Sequence, residues 1–194
     1  MTRDDLLKLV QGRLGDSATM QHCLACEACM RALAVRFGED PVHWGMAGLA
    51  HDLDLNVCAV NLEQHTLIAA EVLRAAGVNE DIVLAVLGHN NKAPRDSRMA
   101  KALWVVDHTT GMITAAALIR PSKSTADLDV SSVRKRMKDK RFAANVKREQ
   151  IVACEAGLGM ALDDFLSICL GAMNDIRDVL HLNGHPAPVV EGGK

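Results

Sequence analysis

The chain has no tyrosine, two Trp and three Phe among 194 residues, so aromatics make up only 3%. That scarcity argues against the stacked aromatic platform on which single-stranded nucleic acids are bound. An excess of one charge is also missing: 22 Lys and Arg stand against 24 Asp and Glu, a net charge of −2. This is not the field of a general nucleic-acid binder. No uninterrupted apolar run approaches the roughly 20 residues that cross a bilayer. The best stretch, Ile151 to Met173, is broken by Glu155, Asp163 and Asp164. The opening residues Met-Thr-Arg-Asp-Asp lack the apolar segment of a secretory signal. The six Cys are therefore expected as free thiols in a reducing, cytoplasmic setting. There is no glycine-rich phosphate loop, no internal repeat and no period-two alternation of the kind that marks strands.

What is present is apolar residues at helical spacing. They make up 49% of the chain, enough for a substantial core. Leu6, Leu7, Val10 and Leu14 form one stripe, closed by Gly15. A second helix is expected from Ser17 to Phe37, stopped by Gly38. Asp40-Pro41 reads as an N-cap followed by proline at the first helical position, and that helix runs into His51-Asp52. After a loop around 56–61, helices are expected over Glu63–Ala76, Glu80–Gly88 with Asn79 as cap, and Ser97–Ile119. A mixed stretch, Ser122–Asp129, links these to helices over Ser131–Lys138, Lys147–Ala156 and Ala161–His181. The tail from about Gly184, with two Pro and three Gly, reads as loose. The fold class is all-α: a helical core over 1–120, with a helical extension over 121–194 packed on the same domain.

Function is signalled by polar residues where polar residues are costly. In Gly48-Leu-Ala-His-Asp-Leu-Asp54, an imidazole and a carboxylate end an apolar helix. Burying both unpartnered would cost several kcal/mol. Asp107 follows Leu103-Trp-Val-Val inside the most apolar helix. His22, His65 and His89 sit in or beside other apolar helical segments. Each has an ordinary reading alone. His22 suits a helix surface, His65 a first turn, and His89 the negative end of a helix dipole, while Asp107 suits a bond to a neighbouring helix end. Six such residues, one or two per helix, point instead to a shared centre. Neutral imidazole and ionised carboxylate together are the ligands of a divalent transition metal.

The order His22, His51-Asp52, His65, His89, Asp107 resembles the HD superfamily of metal-dependent phosphohydrolases, over roughly residues 20–120. The segments around Gly48–Asp54, Ala102–Ile113 and Ile119–Lys123 look most like a small bacterial branch of it. The resemblance implies that His22, His51, Asp52 and Asp107 hold one metal. Asp52 would bridge to a second metal held by His65 and His89. Fe, Mn, Zn and Ni all suit such ligands. It further implies hydrolysis of a phosphomonoester, phosphodiester or nucleotide phosphoanhydride by a bridging hydroxide that two metals acidify. The expected partner is then a small phosphorylated molecule, nucleotides included, rather than a membrane or a nucleic acid. The C-terminal helices offer a face for homo-oligomers. Two alternatives share the ligand set: a diiron oxygenase of the same superfamily, and a metal-retaining binding module without turnover.

Some branches carry a lysine three residues after the Asp of the pair, where this chain has Leu55. Arg120 and Lys123 are candidate substitutes for phosphate contact, against an ordinary reading as a solvated helix end. Asn90 is a candidate substrate contact or a helix cap. His22, Cys23, Cys26 and Cys29 suggest an iron–sulfur motif, but Leu33 and Ala34 stand where a fourth Cys and Pro belong, and thiols in such a helix commonly just pack. Arg134 to Arg148 carries eight cations and one acid, Asp139. It reads as a solvated face or as a region that steers anions; RNA is a further candidate partner, against which stand the single aromatic Phe142 and the slightly acidic chain. His43, His108, His181 and His185 read as structural or surface residues.

Overall fold

The computed structural model describes residues 1–184. They form helices joined by turns, with no strand beyond one antiparallel bridge between Ser124 and Asn183. The all-α expectation holds. The expected loose tail lies outside the described residues.

Helices α1 (Arg3–Leu14), α2 (Ala18–Phe37) and α3 (Pro41–Ala50) each start on a side-chain cap. Thr2 and Asp5 form a reciprocal capping box, Ser17 accepts from the Met20 N–H, and Asp40 accepts from Val42 and His43 ahead of Pro41. The short α4 (Leu55–Cys58) precedes α5 (Leu67–Ala75), α6 (Glu80–His89) and the long α7 (Arg98–Leu118). The extension contributes α8 (Val130–Met137), α9 (Arg148–Val152), α10 (Cys154–Leu158) and α11 (Leu162–Asp175). Helix α2 packs against α3, α7 and α11, and α6 packs on α7. Buried side chains form one cluster running from Leu6 to Leu182, with contributors on both sides of Pro121.

The contact that matters most for the site is the crossing of α2 and α3. A Cβ on Gly48 would lie 2.7 Å from the carbonyl carbon and oxygen of Cys26 and from the Glu27 nitrogen. Only glycine lets the two backbones touch there.

Several boundaries differ from the sequence expectation. The stretch expected as a loop over 56–61 begins with a helical turn, because the Asp54 carbonyl accepts from Val57 and Cys58 and buries Cys58. The helix expected over Glu63–Ala76 is interrupted. A 3-10 turn spans Leu62–Gln64, Thr66 takes a left-handed φ of 72°, and α5 starts only at Leu67. The cause is tertiary: the buried Asp54 carboxylate accepts the Thr66 and Ala69 N–H groups and caps α5 from a distant segment. Asn79 stands at the start of α6 but its side chain makes no cap bond. The helix expected over Lys147–Ala156 splits at Ala153, which turns both Ile151 and Cys154 into the core. The final helix ends at Asp175 rather than His181, and Leu180 and Leu182 are buried through turns instead. Among the described residues no single helix is long and apolar enough to cross a membrane.

Candidate metal centre

Asp52 sits just past the end of α3, about 8% exposed, and its two carboxylate oxygens face different partners. Oδ2 lies 3.4 Å from His51 Nε2 and 3.8 Å from His22 Nε2. Oδ1 lies 3.3 Å from His65 Nε2 and 3.5 Å from His89 Nε2. Asp107, on α7, closes the first side, with Oδ1 3.1 Å from His22 Nε2. All six residues singled out in the sequence therefore converge on one place.

Each imidazole is aimed by its other nitrogen. His51 Nδ1 donates to the Gly48 carbonyl at 2.8 Å, and His89 Nδ1 donates to the Val86 carbonyl at 2.6 Å. His65 Nδ1 lies 2.8 Å from Asp54. His22 Nδ1 lies 3.1 Å from the Thr110 hydroxyl, which itself donates to the Asp107 carbonyl at 2.9 Å. The arrangement leaves four Nε2 lone pairs turned inward, as metal-binding histidines are oriented by their surroundings.

The centre calls for positive charge. His22 and His51 present Nε2 atoms 3.2 Å apart, and with both Nδ1 atoms engaged as donors neither neutral ring has a proton to place between them. Either protons or metal ions must sit there. Burial opposes protonation of His51, yet the charges of Asp52 and Cys26 hold its pKa well above the usual imidazole value. His22 is raised the same way, against burial, by Cys26 and Asp107. His65 is lifted to about 9, again against burial, by Asp52 and Asp54. Burial alone would raise Asp52, but His51, His65 and His89 hold its carboxyl well below the ordinary range. Two sets of donor atoms lie within 4.8 Å of one another: His22, Cys26 and His51, and His51, Asp52 and His89. The donors fit divalent transition metals.

Residues 19–129, which contain all six, match the HD domain family. The chain belongs to the HD domain family. That membership places it in a superfamily of metal-dependent phosphohydrolases. It is also 28% identical over 92 residues to proteins named Ribonuclease Y from two strains of Nitratidesulfovibrio vulgaris, DP4 and Hildenborough. Those alignments cover 47% of this chain and 18% of each relative. No solved structure matches.

Of the six residues, His22 lines a groove of about 450 Å³ between α2 and α7. Gln21, His22, Gly111 and Leu118 line it, and Leu180–Leu182 of the extension contribute one wall. The candidate substrate contacts are placed differently. Asn90 donates its amide to the His65 carbonyl at 3.1 Å, so it holds the segment carrying His65. Arg120 donates to Ser132 at 2.7 Å, and Lys123 is exposed with a left-handed φ of 48°. At 1.5 Å per residue, the end of α7 lies about 16 Å along the axis from Asp107. These two cations therefore serve only a substrate that extends along that helix.

Cys23, Cys26 and Cys29 are buried free thiols spaced along α2, and Cys29 contacts the Cys169 carbonyl. Strung along a helix, the three do not converge on a cluster. Two contributors escaped the sequence reading. Asp54 is fully buried beside His65, and its signal was a second carboxylate in the run Asp52-Leu-Asp54. Thr110 orients His22, and its signal was its place one turn after Asp107. His108 is half-buried, not a plain surface residue; burial lowers its pKa, Asp107 raises it and Lys147 lowers it further.

Proposed function

We propose that this HD domain protein is a phosphohydrolase acting on a phosphomonoester, phosphodiester or nucleotide phosphoanhydride through a dinuclear centre. The observation that carries the proposal is the division of labour at Asp52, with one pair of imidazoles facing Oδ1 and another facing Oδ2. In this reading Asp52 is the bridge. His22, His51 and Asp107 complete one subsite, and His65 and His89 complete the other.

Bound divalent ions supply an acidified water as nucleophile and offset charge on the phosphoryl oxygens. The protein's own residues do the rest. The four pinned Nδ1 atoms keep every Nε2 free of a proton, its lone pair available to a metal, so no ring must turn during turnover. Burial of Asp52 and His51 keeps bulk water away from the inner face. Asp107 and His22, each about a quarter exposed at the side chain, are the face a substrate meets. Attack at phosphorus would break its bond to the leaving oxygen and release an alcohol or a phosphate. The groove beside His22 leaves room for that leaving group. The buried free thiols agree with work in a reducing compartment.

The test is metal analysis of the purified protein, followed by assays on p-nitrophenyl phosphate, its bis-ester and a nucleotide panel. About two transition-metal ions per chain and oxygen-independent phosphate release are expected. Oxygen consumption with mixed-valent iron, or equal metal binding by wild type and His51→Ala with no hydrolysis, would overturn the reading.

A further inference from the structure

The extension beyond residue 129 lies outside the segment matched by the family, and it carries a basic loop whose construction is unusual. Of the eight cations between Arg134 and Arg148, three are committed. Arg134 pairs with Asp163 at 2.7 Å, and Arg136 covers the Phe142 ring at 5.3 Å. Arg148 turns inward and donates to four carbonyls: Asp139 at 3.2 Å, Ala143 at 2.7 Å, Val146 at 2.5 Å and also Phe142. Its guanidinium thus closes residues 139–147 into a loop instead of meeting an acid. Lys135, Lys138, Lys140, Arg141 and Lys147 remain exposed, and among the described residues none of them has an acidic partner within salt-bridge distance.

The loop stands at the metal centre's rim. A Cβ on Gly111 would lie 3.5 Å from Val146 Cγ2. Gly111 is one turn past Asp107 and lines the groove shared with His22. Lys147 directly follows Val146 and is exposed. Gathering unpaired cations beside a phosphate-handling centre raises the local concentration of anions. A solvated face needs neither the four-carbonyl anchor nor this position.

We propose that the loop over 138–147 is a second phosphate-binding site, which takes the additional phosphates of a polyphosphorylated small molecule while the metal centre takes the scissile one. Lys147 is its inner contact, and Lys138, Lys140 and Arg141 form its outer edge. The proposal rests on the hydrolase reading of the centre. A small molecule fits better than a nucleic acid because the loop has a single aromatic ring, Phe142, already engaged by Arg136, rather than the series of rings on which successive bases stack.

The probe is inorganic tripolyphosphate, titrated calorimetrically into the metal-loaded full chain at two salt concentrations. Lys140→Glu/Lys147→Glu should weaken binding roughly tenfold and flatten its salt dependence. Lys8→Glu, at an exposed lysine on α1, should not. In turnover, the double variant should raise KM for a nucleoside triphosphate and leave kcat for p-nitrophenyl phosphate unchanged. The titration is repeated on Asp52→Asn. That variant should keep loop-dependent binding while losing turnover, whereas loop-dependent tripolyphosphate binding by a metal-loaded wild type that hydrolyses nothing would sink the hydrolase reading and keep the loop site. Equal tripolyphosphate affinity in wild type and double variant would overturn the loop site. So would a preference for an oligonucleotide over tripolyphosphate at matched charge.

Discussion

Two carboxylates are buried near the crossing of α2 and α3, and their partners differ in kind. Glu27 is 5% exposed and meets two arginines: Arg3 grips it with two bonds of 2.9 and 2.8 Å, and Arg31 approaches to 3.8 Å. Those partners carry a permanent charge, so Glu27 is satisfied at any ordinary pH. Asp52 is 8% exposed and, among the described residues, meets no Lys or Arg, only four imidazoles. An imidazole, unlike a guanidinium, can give up its proton and offer a lone pair to a metal instead, so the compensation at Asp52 is exchangeable. Protons can hold the cluster together, and metal ions can replace them. A buried carboxylate with fixed cations holds a fold in place, while one ringed by histidines is built to exchange its counter-charge.

The largest expected effect breaks the exchangeable side. Asp52→Asn should abolish binding of at least one metal ion and lower turnover about 10³-fold, read by elemental analysis and phosphate release. Arg3→Ala should leave both unchanged. Next, Asp54→Asn removes the group that aims His65 and caps α5. Metal affinity should fall about 10–100-fold, measured by competition with a chelator. On the fixed side, Arg3→Ala should cost about 1–3 kcal/mol of folding stability in urea unfolding, because Glu27 keeps only the more distant Arg31. The smallest effect is a pH trend. His65 titrates near 9 in the folded protein against 6.5 as its ordinary value. Its protonation therefore stabilises the metal-free fold fully below pH 6.5, and that contribution is lost as pH rises through 9. Tm of metal-free protein should fall between pH 6.5 and 9. The metal-loaded protein, whose imidazoles are already neutral, should hold its Tm over the same window.

The two sides were not equally legible in the sequence. His22, His51, Asp52, His65, His89 and Asp107 stood out because each is polar within apolar helical surroundings, and that cost is local. Asp54 carries no such local signal because its work is tertiary: it caps a helix that begins thirteen residues later and so breaks the helix expected through His65. By composition Arg148 is one more cation of a solvated run. Its four bonds to carbonyls depend on a loop path that composition does not encode. The helical content was legible from periodicity, and its errors fell where buried carboxylates or short turns override it.

Gly48 has a consequence for how finely the centre is adjusted. The same residue sets the separation of α2 and α3 and supplies the carbonyl that fixes the His51 tautomer. His22 lies one turn from Cys26 on the facing backbone, so the gap between two metal-facing nitrogens is gauged by the thickness of two peptide chains in contact. Side chains relax and leave slack, whereas backbones in contact do not. The centre thus inherits the tolerance of a joint made by backbone against backbone, and a single added methyl at Gly48 would reset that gauge without touching any residue that faces the metals.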